Sequence, residues 1–143
     1  METYIKQISV FVENTVGAAA DTVEILSREG IDIRALSIAD TEDYGIMRLI
    51  VDNPARAKAL LQEKGIMVKQ TDVLALPLED KPGSLARILT IFKNGGMPIE
   101  YMYAFVGRTH GKAVVVAKAA DPLRAAALLA PHGIAPLSAA EIF

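Results

Sequence analysis

E-D-K-P-G at residues 79–83 is a related copy of E-N-T-V-G, which stands 66 residues earlier at residues 13–17. The same offset aligns apolar and glycine positions along the two halves of the chain. The aligned pairs are Ala20 and Ala86, Val23 and Leu89, Leu26 and Phe92, Gly30 and Gly96, Ile33 and Ile99, and Gly45 and Gly111. After two added residues, Pro54 aligns with Pro122 and Gly65 with Gly133. A repeat at constant spacing indicates that one structural unit has been duplicated.

Around these segments each half predicts the same strand followed by a helix. Alternating apolar residues precede the segment and favour a strand, while apolar residues three and four positions apart follow it and favour a helix. The strand positions are Ile8, Val10 and Val12, and Leu74, Leu76 and Leu78. The helix positions are Val16, Ala19, Ala20 and Val23, and Leu85, Ile88, Leu89 and Phe92. Gly30 and Gly96 mark the predicted helix ends.

Two more strands and a second helix complete each half. The strands are predicted at residues 31–39 and 46–51, with counterparts at 99–106 and 113–118. Pro54 and Pro122 begin the second helices, and after Gly65 and Gly133 the chain is predicted to be extended again. The order β-α-β-β-α-β, found twice, predicts an α+β fold of two ferredoxin-like modules, each an antiparallel sheet with helices on one face. The predicted domains are residues 1–70 and 71–143.

The third strand of each half is apolar on both sides. Residues 46–51 and 113–118 contain consecutive aliphatic side chains, which are typical of strands that are buried on both faces. We therefore expect the sheet face opposite the helices to pack on another sheet, from the other half or from a second chain.

Composition narrows the function classes. Hydrophobic residues make up 52% of the 143 residues and charged residues 22%, which suits a packed core. The net charge of -2 removes the attraction that sequence-independent nucleic-acid binding needs, so no nucleic-acid partner is predicted. No apolar run reaches the roughly 20 residues of a membrane helix, and no signal peptide is predicted. The absence of cysteine excludes disulfides and thiolate chemistry, and cytoplasm is the default location.

No catalytic or metal site is predicted, and no cofactor. His110 and His132 lie in separate loops without paired carboxylates, and no ligands cluster at metal-binding spacing. An acylphosphatase-like enzyme on the same fold requires an arginine in the loop after the first strand, and neither loop contains one. We therefore expect a protein that is not an enzyme.

The turn between the first strand and first helix is the candidate binding site in each half. Asn14 or Asp80 offers an acceptor for an ammonium group, and Gly17 or Gly83 permits close approach to the backbone. The free N–H groups of the following helix start suit a carboxylate, so the turn suits a zwitterion. A purely structural reading stays open, in which Asn14 and Asp80 make local turn bonds and Ser84 caps its helix.

Three other residues have two readings each. Tyr101 and Tyr103 share one face of a strand. They are either residues of the core or of an interface, or side chains on which a ligand stacks. Arg48 is either a surface side chain with its charge in water or an ion-pair partner at an interface, and we favour the interface.

The motif E-D-K-P-G-S-L-A-R-I-L, followed by G-G-M-P-I-E, resembles the signature of ACT domains, which sense amino acids and are attached to many biosynthetic enzymes. The chain as two copies is also similar to stand-alone bacterial proteins with tandem ACT domains, through I-E-Y-M-Y-A-F at 99–105 and D-Y-G-I-M-R at 43–48. The resemblance covers nearly the whole chain.

The resemblance implies a non-catalytic regulator that binds an amino acid between two modules. The ligand would contact the first loop and helix start of one module and the start of the second strand of the other. Carried over by position, the ligand-binding residues are Asn14, Gly17, Ala18, Asp32, Asp80, Gly83, Ser84 and Leu85. Pro98 occupies the position equivalent to Asp32 and has no N–H, so one functional site, with Asp80 facing Asp32, is expected. The implied partners are the amino acid, a second copy in a homodimer, and a partner enzyme.

A second hypothesis, from another class, is a pure interaction module. In that case the apolar sheet face docks a partner protein, and the turns have only a structural role.

Overall fold

A computed structural model describes residues 3–13, 15–40, 44–109 and 111–143. Strands and helices alternate along this part of the chain. The first six elements are β1 (Ile5–Glu13), α1 (Ala18–Arg28), β2 (Ile33–Asp40), β3 (Tyr44–Val51), α2 (Pro54–Glu63) and β4 (Val68–Leu78). The others are α3 (Ser84–Asn94), β5 (Ile99–Ala104), β6 (Ala113–Ala119), α4 (Pro122–Leu129), a 3-10 turn (Ala130–His132) and α5 (Ala139–Ile142).

The chain divides into two compact units. The first unit is Lys6–Thr71, and the second unit consists of Asp72–Phe143 together with residues 3–5. The domain assignment 1–70 and 71–143 stays a prediction about independent folding, which limited proteolysis followed by refolding of the fragments would test.

In the first unit, β3 lies between β2 and β1 and pairs with both in antiparallel register. Alternate residues of β1 and β3, such as Val10 and its register partner Met47, point to the helices and are fully buried. Leu26 of α1 and Leu61 of α2 pack on them. Truncating a buried leucine of this kind to alanine costs roughly 2–5 kcal/mol.

The second unit repeats this construction. β6 lies between β4 and β5, again with antiparallel pairing. Leu76 of β4 packs with Ile88 and Phe92 of α3 and with Leu129 of α4. Six antiparallel strands and their helices therefore confirm the predicted fold class of ferredoxin-like modules with helices on one face.

The predicted helix stripes are correct only in part. In α3, Ile88 and Phe92 are buried, whereas Leu85 and Leu89 remain about two-fifths exposed. Val16 lies outside α1 and is fully exposed, because the glycine that follows it begins the helix. The spacing rule included Val16 since apolar periodicity alone does not mark a helix start.

Two predicted strands differ from the structure. The last strand of the first half and the first strand of the second half form one continuous strand, β4, because no glycine or proline interrupts residues 68–76. The extended segment predicted after Gly133 contributes only one ladder-like bond, from Leu137 N–H to the Ala75 carbonyl at 2.8 Å. Pro136 has no N–H, and a capping box between Ser138 and Glu141 then starts α5.

The sheet face opposite the helices is buried in each unit. Ile50 of β3 and Val114 and Val116 of β6 are at most 1% exposed, as are the neighbouring Val73 and Ala75 of β4. The predicted burial of both faces is confirmed for β6 and in part for β3, where Ile46 is half-buried, and packing of this face on another sheet stays a prediction. On the same face of the first unit, Arg48 is half-buried and lies in register between Ser9 and Ser37.

The second helix of each unit starts with the same four-residue arrangement, N-P-A-R at 53–56 and D-P-L-R at 121–124. The side chain of Asn53 or Asp121 accepts from the backbone N–H of the arginine and caps the helix. The guanidinium of Arg56 donates to the carbonyl of Glu29 at 2.8 Å, and that of Arg124 to the carbonyl of Gly95 at 2.6 Å. Both carbonyls lie at the end of the preceding helix, so the arrangement also ties the two helices together.

Candidate functional site

The first helix of each unit begins at a glycine in the left-handed conformation. Gly17 has φ 86° and Gly83 has φ 93°, and each is the N-cap of its helix. A residue with a Cβ pays about 1–2 kcal/mol for this conformation, which explains the glycine. Among the described residues, no side chain caps α1 or α3, whereas α2 and α4 are capped by Asn53 and Asp121.

The first N–H of α1 and of α3 donates to a loop carbonyl at 3.3 Å, Ala18 to Thr15 and Ser84 to Lys81, and the next two N–H groups of each helix have no described backbone acceptor. An α-helix has no internal acceptor for its first N–H groups, and the helix dipole adds positive potential at the same place. Ser84 is the first residue of α3 and does not cap it, so the structural reading of Ser84 is wrong. Ala18 is the first residue of α1, with the same geometry.

A cleft of about 600 Å³ lies beside the start of α3 in the second unit. This volume falls within the range of small-ligand sites. Gly83 and Ser84 line the cleft, together with three cationic side chains, Lys81, Arg87 and Lys112. Sheet pairing explains why Lys112 is there, since Ala113 is the register partner of Leu78 and so places Lys112 beside Glu79.

Glu79 is the carboxylate that lines this cleft. The Lys81 ammonium donates to it at 2.7 Å and holds the pKa of the Glu79 carboxyl below its ordinary value, with smaller contributions from Lys112 and Arg87. Arg87 also donates to the carbonyl of His132 at 2.9 Å. These contacts place four charged groups around one opening.

Asp80 lies in the same loop, and its carboxylate pairs with Arg108 at 2.5 Å. Both side chains are exposed, by 58% for Asp80 and 62% for Arg108. Asp80 and Leu85 are close in sequence to the cleft but are not among its lining residues. Of the four residues predicted in this loop, the structure therefore brings Gly83 and Ser84 to the cleft.

The first unit has a cleft of about 450 Å³ at the equivalent place. Ala18 lines it, with Glu13 and Asp21 as its charged residues and with the exposed Val16 and Met67 at its edge. Gly17 shapes the helix start but does not line the cleft. Asn14, the predicted ammonium acceptor, lies outside the described residues.

Asp32 is at the opposite end of its own unit from Gly17. The loop before α1 lies at the end of the sheet where Val12 meets Gly45, whereas Ile33, next to Asp32, meets Val51. The length of β2 separates these ends by roughly 25 Å. Asp32 pairs there with Arg34 at 3.1 Å. The Asp32 N–H donates to the Asp52 carboxylate and the Asp32 carbonyl accepts from the Asp52 N–H, both at 3.1 Å, which holds the strand start. Pro98 has the equivalent role, since its carbonyl accepts from Ala120 N–H.

The other candidate residues lie away from the clefts. Tyr101 and Tyr103 stack on β5 with ring centroids 6.4 Å apart. His132 is exposed in the 3-10 turn, and His110 lies outside the described residues. Within the described ranges, no three His, Cys, Asp or Glu residues gather as metal ligands would. In the same ranges, no helix combines the length and apolar character needed to cross a membrane.

Sequence reasoning missed Lys81, Arg87 and Lys112 as members of one site. A comparison of the two repeats contained the signal, because Thr15, Asp21 and Ile46 occupy the equivalent positions.

Fold and site together define a class of protein: tandem ferredoxin-like modules, each with an uncapped helix start beside a cleft. The family model for an ACT domain pair matches residues 3–133, and the chain belongs to this family. The resemblance to ACT domains is thereby confirmed. ACT domain pairs are typical of regulatory domains that bind small molecules such as amino acids.

Solved structures agree with this assignment. Protein BT0572 from Bacteroides thetaiotaomicron is 33% identical and superposes with a TM-score of 0.90, covering 98% of this chain and 96% of that one. The ligand-free regulatory subunit of aspartate kinase from Thermus thermophilus is 18% identical, with a TM-score of 0.67 and 90% of each chain covered. The corresponding subunit from Thermus flavus is also 18% identical, with a TM-score of 0.63 and coverage of 92% and 93%. These two Thermus proteins share the fold. No curated protein matches the chain.

Proposed function

We propose that this protein is a non-catalytic sensor that binds a free amino acid at the start of the first helix of a module. The observation that carries the proposal is the contrast between helices within one chain. The second helix of each unit is capped by the side chain of its N-cap residue, while the first helix has no side-chain cap among the described residues, and its second and third N–H groups lie beside a cleft with no described backbone acceptor. A capping side chain would stabilise these helices by a few tenths of a kcal/mol relative to glycine, so stability alone favours a cap there as well.

The groups around α3 suit the two charged ends of an amino acid. The backbone N–H groups after Gly83 would donate hydrogen bonds to the α-carboxylate, and the helix dipole favours the negative charge. The Asp80 carboxylate would accept a hydrogen bond from the ammonium group. This bond would replace its ion pair with Arg108 in the free protein. Asn14 is proposed for the same role in the first unit, and the placement of the ligand between modules, with Asp32 taking part, stays a prediction.

Regulation would follow from the effect of the ligand on a conformation or assembly. A ligand that favours one state by about 1–3 kcal/mol is sufficient for a signal. The predictions of a cytoplasmic homodimer with a partner enzyme belong to the same proposal. Sedimentation with and without ligand, and co-purification from the native cell, test them.

A panel of the standard amino acids in a thermal-shift assay tests the proposal directly. A ligand at 100 times its dissociation constant stabilises the folded state by about 2.7 kcal/mol, which raises the melting temperature by about 5 °C or more. If no amino acid raises the melting temperature or gives heat in calorimetry, the proposed function is wrong.

A variant pair then locates the site. Ser84→Asp places a carboxylate over the open N–H groups, so we expect it to stabilise the free protein by about 0.3–1 kcal/mol and to weaken ligand binding. Ser84→Asn is the matched control, since it has the same shape without the charge and should bind nearly as the native protein does. A Ser84→Asp variant that is more stable but binds the ligand less tightly has lost the site and not the fold.

The interaction-module hypothesis has one supporting observation. Leu36 and Ile38 lie on β2, which pairs only with β3 among the described residues, and they are 42% and 54% exposed. An edge strand with exposed apolar side chains is suited to pairing with another chain. Two results together would favour this function: the native protein binds no amino acid, and a partner protein that binds it no longer binds the Leu36→Lys variant.

A further inference from the structure

The two clefts occupy equivalent positions of the duplicated fold but differ in charge. Three cationic residues of the second cleft, Lys81, Arg87 and Lys112, correspond to Thr15, Asp21 and Ile46 in the first. The carboxylate Glu79 has its equivalent in Glu13. The lining side chains therefore contain three cations and one anion in the second cleft, and two anions and no cation in the described part of the first.

Contacts within the second cleft leave two of its positive charges uncompensated. Lys81 and Glu79 neutralise each other at 2.7 Å. Arg87 donates to the neutral carbonyl of His132, and neither it nor Lys112 has a carboxylate partner among the described residues. Asp80 is already paired with Arg108.

A neutral amino acid would leave these two charges without a partner. Its carboxylate would bind the N–H groups of α3, and its ammonium group would be repelled by any free cation nearby. A second carboxylate, on the ligand side chain, would pair with Arg87 and Lys112 in a charge-assisted contact. The cleft thus offers more positive charge than one carboxylate requires.

We propose that the cleft of the second unit selects amino acids with an acidic side chain, and that the first cleft rejects them. This inference rests on the proposed function and adds the ligand class. In the first cleft, Glu13 and Asp21 repel a dianion, so the two copies of the repeat have diverged to different ligands or to a single occupied site.

Calorimetry on the full chain with isosteric ligand pairs tests the inference. We expect L-glutamate to bind about tenfold tighter than L-glutamine, or L-aspartate about tenfold tighter than L-asparagine. The preference should decrease as salt is added, because Arg87 and Lys112 are exposed. In NMR spectra, amide shifts should occur at Ser84 and not at Ala18.

Lys112→Gln is the main variant, because within the described part of the chain the Lys112 side chain makes no ion pair whose loss would disturb the fold. It should reduce the glutamate-over-glutamine preference several-fold, and Arg87→Gln should do the same. Lys93→Gln, an equal change of charge on an exposed residue of α3 away from the cleft, should leave the preference unchanged.

Equal dissociation constants for the acidic and amide ligands overturn this inference while leaving the proposed function intact. A preference that Lys112→Gln and Arg87→Gln both leave unchanged overturns it as well. If no amino acid of any charge binds, the proposed function fails together with it.

Discussion

Asp80 is the residue whose substitution separates a binding role from a structural one. Its carboxylate pairs with Arg108, but both side chains are more than half exposed. Exposed pairs of this kind contribute about 0–1 kcal/mol, so Asp80→Asn should lower the free energy of unfolding by less than about 1 kcal/mol. Urea unfolding measures this change.

The expected effect on binding is larger. A hydrogen bond to a charged group contributes about 1.5–3 kcal/mol, which corresponds to a factor of about 10 to 100 in affinity. Because solvent reaches Asp80, we expect the lower end of this range. The dissociation constant should rise roughly tenfold for an amino acid whose ammonium group donates a hydrogen bond to Asp80. Asparagine keeps the shape and one acceptor oxygen, so the loss reports the charge.

Arg108→Gln is the control for this experiment. It frees the Asp80 carboxylate from its partner, so the ligand should bind as well as in the native protein or better. If Asp80→Asn leaves the dissociation constant unchanged and Arg108→Gln raises it, then Arg108 contacts the ligand carboxylate and the assignment of Asp80 is refuted.

Three further predictions concern stability and protonation. Asp121→Ala should cost about 1 kcal/mol in urea unfolding because it removes the cap of α4, and an unchanged midpoint would contradict the capping role. Gly95→Ala should destabilise by about 1–3 kcal/mol, since its Cβ would lie 2.6 Å from Leu128 Cδ1; a stabilised variant would mean that Leu128 moves aside freely. The pKa of Glu79, followed by NMR, should lie below its ordinary value of 4.5 and return towards it in Lys81→Gln. Since folding lowers this pKa, the contribution of Glu79 to stability is present above about pH 4.5 and is lost as the pH falls through the folded-state pKa.

The fold could be predicted because it depends on local patterns that occur twice. The first strand is predicted by the alternation at Ile8, Val10 and Val12, and the start of the first helix by Gly17. The same patterns in the second half support both assignments. The segment after Gly133 is predicted to be a strand, and its apolar periodicity gives no sign that it is irregular. Its strand is prevented by Pro136 and by the capping box at Ser138, which act through backbone hydrogen bonds and not through the apolar pattern.

The candidate site was predictable where it depends on one loop and not where it depends on the sheet. Gly83 and Ser84 follow directly from the repeated segment. Lys112 reaches the cleft only because β6 pairs with β4 in a particular register, which the sequence alone does not specify. The distance of Asp32 from Gly17, by contrast, follows from topology, since the first loop and the start of the second strand are at opposite ends of a module.

The arginine of the N-P-A-R and D-P-L-R arrangements reaches a main-chain oxygen, and this has an evolutionary consequence. Position 29 is a glutamate and position 95 a glycine, yet Arg56 and Arg124 hold the carbonyl there in the same way. The contact to the peptide group does not itself require a particular side chain there, but each half adds a second contact: the Glu29 carboxylate also pairs with Arg56 at 2.8 Å, and Leu128 packs where a Cβ of residue 95 would lie. The tie between the two helices was therefore kept while this position diverged, to an ion pair in the first half and to close packing in the second, and related sequences should retain the arginine.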